Sequence, residues 1–139
     1  MARTPRDVVE DLYRRMQAGD AGAMDDLVAV DMVNHAAGPQ GRAGLRAILD
    51  VIETDIGPVE VDHHHLVAEG ELVAHHMTMR GHHRASTMPL LAGTPATGQT
   101  VTWTYMHLWR VVDGQIVEHW ACRDDLGLLA QIGAWPPPP

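Results

Sequence analysis

The chain has 139 residues, ten of them His and ten Arg, with no Lys, no Phe and a formal charge of −8 when His is neutral. That length fits one domain, and 45% hydrophobic against 20% charged residues supports a packed core rather than a disordered polyelectrolyte. The acidic balance argues against a nucleic-acid partner, the single Cys122 excludes an internal disulfide or thiolate-cluster metal site, and no run reaches the roughly twenty apolar residues of a membrane helix.

Thr4-Pro5-Arg6-Asp7 reads as a helix start, with Thr4 as cap and Pro5 in the first helical position. Val8, Val9, Leu12, Tyr13 and Met16 then recur with helical period, and Gly19-Asp20 ends the helix. A short second helix carries Met24, Leu27 and Val28, followed by a brief extended segment, Asp31 to His35. After the turn Gly38–Gly41, residues 42–54 form a third helix with Leu45, Ile48, Leu49 and Ile52 on one side, closed by Gly57-Pro58. Residues 59–68, 72–83, 100–112 and 115–124 read as strands, with turns at Glu69-Gly70 and Asp113-Gly114. The segment 84–99 is too rich in Pro, Gly and Thr for a central strand and reads as a long loop or a lid. Leu126–Ile132 forms a terminal helix, which the Pro-rich tail 135–139 cannot continue. Helices first and a curved antiparallel meander later make an α+β domain over 1–134, whose sheet wraps the helices around a cone suited to a small molecule. The N-terminus, MARTPRDVVEDL, has no signal-peptide core, so a soluble, cytoplasmic protein is expected.

The segments Leu12-Tyr13 with Gly19-Asp20, Val33-Asn34-His35, Gly41 to Leu45, Leu66 to Gly70, Gly93 to Gly98, Trp109-Arg110-Val111, Asp113-Gly114, Ile116 to Trp120 and Leu126 to Leu129 occur in an order that resembles the SnoaL-like polyketide cyclases, within the nuclear transport factor 2-like superfamily. The resemblance implies a cone of N-terminal helices on a curved antiparallel sheet. It implies an enzyme needing no metal or organic cofactor, which closes a polyketide ring by intramolecular aldol condensation. A His and an Asp on neighbouring late strands would transfer the protons. The His falls on His107. The Asp position, after Glu118-His119-Trp120, holds Ala121 in this chain. Hydroxylases, dehydratases, isomerases and epoxide hydrolases share the fold, so these reactions are alternatives, as are a non-catalytic binder and a scaffold domain.

Strand register decides which side chains face the cone. If Val111 pairs with Gln115, His107 faces His119, and the wall is Trp103, Tyr105, His107, Trp109, His119, Ala121 and Arg123. If Val112 pairs with Gln115 around a two-residue turn, His107 pairs with Trp120, and Glu118, Cys122 and Asp124 share that face. The resemblance favours the first. His107 is then the proton-transfer residue. His119 holds a water or braces His107, and Asp124 stands in for the missing acid or caps the last helix. His35 and Asn34 can steady an enolate oxygen. Tyr13, Trp103, Tyr105, Trp109 and Trp120 are candidate substrate contacts, and His83 reaches the pocket mouth. His63-His64-His65, His75-His76 and His82 match no standard metal-ligand spacing, so no metal is expected. The partner is a hydrophobic or aromatic small molecule, and the apolar surface of an open sheet favours a homodimer, with a tetramer open.

Overall fold

In the computed structural model, which describes residues 2–137 and 139, the first helix begins where the cap predicts. The Thr4 hydroxyl accepts from the Asp7 N–H at 3.1 Å, and the Asp7 carboxylate accepts from the Thr4 N–H at 2.9 Å. This reciprocal box opens α1 (Pro5–Gln17) and is worth about 1 kcal/mol. Helix α2 is Ala23–Leu27; Val28, expected on its apolar face, instead opens β1 (Val28–Asn34). Helix α3 is Gly41–Ile56. The strands β2 (Glu60–Glu69), β3 (Leu72–His82), β4 (Thr100–Val112) and β5 (Gln115–Arg123) follow, then α4 (Asp125–Gln131).

The sheet order is β1-β5-β4-β3-β2, and β2 to β5 form the expected antiparallel meander. One feature differs from a pure meander. β1 joins the edge parallel to β5, which a strand separated from it by α3 and three further strands can do. Alternation along β3 and β4 buries Val73, Met77, Met79, Val101, Trp103, Tyr105 and Trp109 on one concave face. Helices α1 and α3 cover that face: Val8, Val9 and Leu12 pack with Trp109 and Val111 at one end, Ile52 and Ile56 with Met77 and Trp103 at the other.

The segment 84–99 is pinned rather than free to act as a lid. Asp55, fully buried at the end of α3, accepts from the Thr87 N–H, the Thr87 hydroxyl and the Met88 N–H at 2.7–3.1 Å. Met88 and Leu91 are buried in the core. Of the tail 135–139, Pro138 lies outside the described residues, as does Met1 of the domain. Gly81 sits where α3 ends against β3, and a Cβ there would lie 1.7 Å from the Ile56 carbonyl oxygen. Gly81→Ala should therefore destabilise the domain by about 1–3 kcal/mol, read as a lower thermal midpoint.

Candidate functional site

The hairpin at Asp113-Gly114 resolves the register in an unforeseen way. Both turn residues have positive φ, 51° and 78°, as a two-residue I′ turn requires, and Val112 pairs with Gln115. A bulge follows: Val111 pairs with Ile116 but Arg110 pairs with Glu118, so Val117 is the extra residue. The turn is that of the second register, while the bulge restores the faces of the first. Tyr105, His107, Trp109, His119, Ala121 and Arg123 share the concave side. His107 stands opposite Ala121, and His119 opposite Trp109.

These side chains line a cavity of about 250 Å³ between the sheet and the helices. Leu12, Tyr13 and Met16 of α1 and Leu45, Ile48, Leu49 and Ile52 of α3 form the facing apolar wall. Asn34, His107, His119, Arg123, Gln17 and Glu53, with the phenols of Tyr13 and Tyr105 and the indole of Trp109, are the polar groups among the lining residues.

A chain of hydrogen bonds orders the buried imidazoles. The Ala36 N–H donates to Asn34 Oδ1 at 3.0 Å, which identifies that atom as the amide oxygen. The same oxygen lies 3.1 Å from His119 Nδ1, so His119 carries its proton on Nδ1. Its Nε2 is then an acceptor, and His107 Nδ1, 2.7 Å away, donates to it. The His107 Nε2 is left as a lone pair, buried and without a partner among the described residues. Gln40 fixes the base of the chain: its side-chain oxygen accepts from the Asn34 N–H and its side-chain nitrogen donates to the Asn34 carbonyl, both at 2.8 Å. Burial holds His107 neutral, well below the ordinary imidazole range, with the neighbouring His119 and His75 acting in the same direction. Burial, then His35, brings His119 down to about 4. Both rings are therefore uncharged at neutral pH, as the tautomer chain requires. His107 packs between Tyr105 and Trp109, ring centroids 4.9 and 5.1 Å away.

The other candidates divide by face. Tyr13, Asn34, Tyr105 and Trp109 line the cavity beside His107 and His119. Burial raises the phenols of Tyr13 and Tyr105, so both remain protonated donors. His35 and Trp120 do not line it. Trp120 lies on the outer sheet face with its ring stacked on His35, and His35 Nε2 is 2.8 Å from a Glu118 carboxylate oxygen. His35 and then Arg110 hold the Glu118 carboxyl below its ordinary range. Asp124 caps α4, its carboxylate accepting from the Gly127 N–H at 2.9 Å, and so does not replace the acid. Trp103 faces the concave side but lies under α4, its indole N–H donating to Asp125 at 3.1 Å. His83 is buried beyond β3, bonded to Ser86 and Thr97, where it shapes the 84–99 segment. Arg123 lies in the cavity wall, as the favoured register places it. It sits with its guanidinium 5.1 Å from the Trp103 ring centroid and 3.1 Å from Asp125. Its alternation with His119 and Ala121 was the available signal.

A model of the SnoaL-like polyketide cyclase family matches residues 6–132. Over 49 residues the chain is 45% identical to aklanonic acid methyl ester cyclase DnrD of Streptomyces peucetius, and this stretch spans 34% of either protein's length. Among solved structures, IdmH of Streptomyces antibioticus superposes with a TM-score of 0.80 at 30% identity, over 94% of this chain and 99% of that one. TsrD of Streptomyces laurentii superposes with a TM-score of 0.78 at 25% identity, over 93% and 97%.

Proposed function

Since the chain belongs to the SnoaL-like polyketide cyclase family, we propose that it is an acid/base enzyme that closes a carbon–carbon ring on a flat, polyketide-like substrate. The observation that carries this reading is the Asn34–His119–His107 chain, which ends in an unpartnered lone pair on a residue of the apolar cavity. The substrate's rings lie between the aromatic wall of β4 and the aliphatic wall of α1 and α3, an arrangement that converts binding into orientation. His107 Nε2 takes a proton from a carbon flanked by carbonyl groups. The freed electron pair forms a bond to a second carbonyl carbon of the same molecule. That carbonyl's π pair moves to its oxygen, which takes the proton back from His107. No atom is gained or lost, and nothing is oxidised. The buried indole N–H of Trp109, which has no partner among the described residues, and the Arg123 guanidinium steady the enolate oxygen. Burial keeps the ring neutral, so its Nε2 lone pair is free to act on the acidic C–H of a β-dicarbonyl.

Aklanonic acid methyl ester, named for the relative DnrD, is the first probe. Incubation should yield an isomer of unchanged mass by liquid chromatography and mass spectrometry. In D2O, deuterium should enter unreacted substrate at the carbon between the carbonyl groups faster than it does without the protein. A second reading, a binding protein with the same cone, draws on Ala121, which places no carboxylate opposite His107. Saturable binding of the ester with neither isomerisation nor deuterium uptake would favour that reading.

A further inference from the structure

We propose that His63 and His75 form a proton relay from solvent to His107, entering at the sheet edge rather than through the cavity mouth. The inference rests on His107 as the proton-transferring group, but its test uses the free protein, so the two readings fail separately.

The relay starts from a bulge in β2. Residue pairing passes from His63↔Met77 to His65↔His76, leaving His64 as the extra residue. His63 therefore stands in the concave register with Met77, while His64 and His65 turn outward, His64 to the Thr78 hydroxyl at 2.8 Å and His65 stacked on His76. His63 is exposed at the edge, 3.4 Å from the side-chain nitrogen of Gln17. Its Nδ1 lies 2.8 Å from Nε2 of His75. His75 is only 1% exposed and packs on the edge of Tyr13, ring centroids 4.7 Å apart. It is also the direct cross-strand partner of His107, with the two rings 5.9 Å apart and inclined by 26°.

Each of these two facing rings carries an unpartnered nitrogen: among the described residues, neither His75 Nδ1 nor His107 Nε2 has a hydrogen-bond partner. A buried polar atom without a partner is destabilising, so packing alone does not explain two of them on adjacent rings. Their polarities are complementary. At the outer end, the Gln17 amide N–H donates to His63 Nε2, which makes His63 Nδ1–H the donor to His75 Nε2 and leaves the His75 proton on Nδ1. At the inner end, the Asn34–His119 bond leaves His107 Nε2 as a lone pair. The orphan on His75 is thus a donor and the orphan on His107 an acceptor. From Gln17 to Asn34, the donors all point the same way.

A solvent proton adds to His63 Nε2 as His63 passes its Nδ1 proton to His75 Nε2. His75 then gives its Nδ1 proton to His107 Nε2 across one bridging water, since the two nitrogens share no hydrogen bond. One proton enters and one is delivered. His63 and His75 remain neutral with their tautomers exchanged, and the reverse passage resets them. Burial, followed by the charges of His63, His76 and His64, brings His75 down to about 4, so a proton crosses this ring without resting on it. The same Nε2 lone pair serves the substrate, so the relay sets its protonation state from the sheet edge before an apolar ligand fills the cavity.

The test is histidine-selective 15N NMR on the full chain without ligand. Long-range 1H–15N spectra should show His63, His75, His107 and His119 all protonated on Nδ1. His63→Phe keeps a ring against Tyr13 and removes the entry point. It should slow the rate at which His107 Nε2 gains and loses a solvent proton, read from 15N relaxation dispersion, by about tenfold or more and release the His75 tautomer, while His119 keeps its own. A merely structural His75 would leave the His107 rate unmoved. A His75 proton on Nε2 in the unaltered chain, or an unchanged His107 exchange rate in His63→Phe, would overturn the relay. The tautomer measurement needs no variant, so it decides even if His63→Phe folds poorly.

Discussion

Replacing His107 by Gln should lower the ring-closure rate by about 10²–10⁴-fold while leaving substrate affinity in place. Gln retains an N–H that can donate to His119 Nε2 and so keeps the buried acceptor satisfied, but it has no basic lone pair. The cavity walls are set by residues of α1, α3 and β4 that this change does not touch, so affinity has no reason to fall with turnover. Circular dichroism and ligand titration establish folding and binding, and single-turnover kinetics then reads the chemical step. Unchanged turnover in His107→Gln would sink the proposed mechanism, and weaker binding with an unchanged single-turnover rate would assign His107 to uniform binding. Asn34→Leu should cost less, because it acts through His119 by freeing the tautomer that Asn34 Oδ1 now fixes. Combined with His107→Gln it should add almost nothing, since both changes disable one unit.

The elements were legible because each carried a local signal. Thr4 and Asp7 spelled the first cap, Asp113-Gly114 spelled a hairpin, and the Pro- and Gly-rich stretch 84–99 could not enter the sheet. The concave set of β4 and β5 was legible only as one of two registers. The bulge at Val117 follows from long-range pairing and has no residue signature, and it alone lets an I′ turn coexist with His107 and His119 on the same face. His35 and Trp120 were misplaced for a related reason, and of the two roles open to Asp124 the helix cap is the one it fills. Side-chain type suggested chemistry, but α4 claimed the Asp124 carboxylate and the outer face claimed the His35–Trp120 stack. The parallel pairing of β1 was equally invisible, yet it carries Asn34 to His119 and so orients the whole imidazole chain.

Lowering the pH from 7.5 to 5 should cost the domain about 4 kcal/mol of stability through His75 and His119 alone. Both rings are buried, and both fall from an ordinary value of 6.5 to about 4 in the folded chain. Between those values the unfolded chain binds protons that the folded chain refuses, so stability falls as the pH falls. At pH 5 each ring lies roughly 1.5 units below its unfolded value, or about 2 kcal/mol at 1.36 kcal/mol per unit. His107 shifts in the same direction, though neighbouring imidazoles titrate as a coupled set and their costs do not simply add. Carboxylates act in a separate, lower window. Asp11, held down first by its hydrogen bond to Arg3, and Glu118, held down first by His35, lose their contribution only as the pH drops through the carboxylate range. Thermal melts followed by circular dichroism should therefore show the midpoint falling steeply between about pH 6.5 and 4.5. His75→Phe should remove one proton's worth of that slope, whatever it costs in absolute stability. A midpoint that stays flat over this range would mean that the rings are charged or solvated in the folded state. The neutral tautomer chain from His119 to His107 would then lose its basis, because the burial that keeps the His107 lone pair free is the same burial that acid exposes.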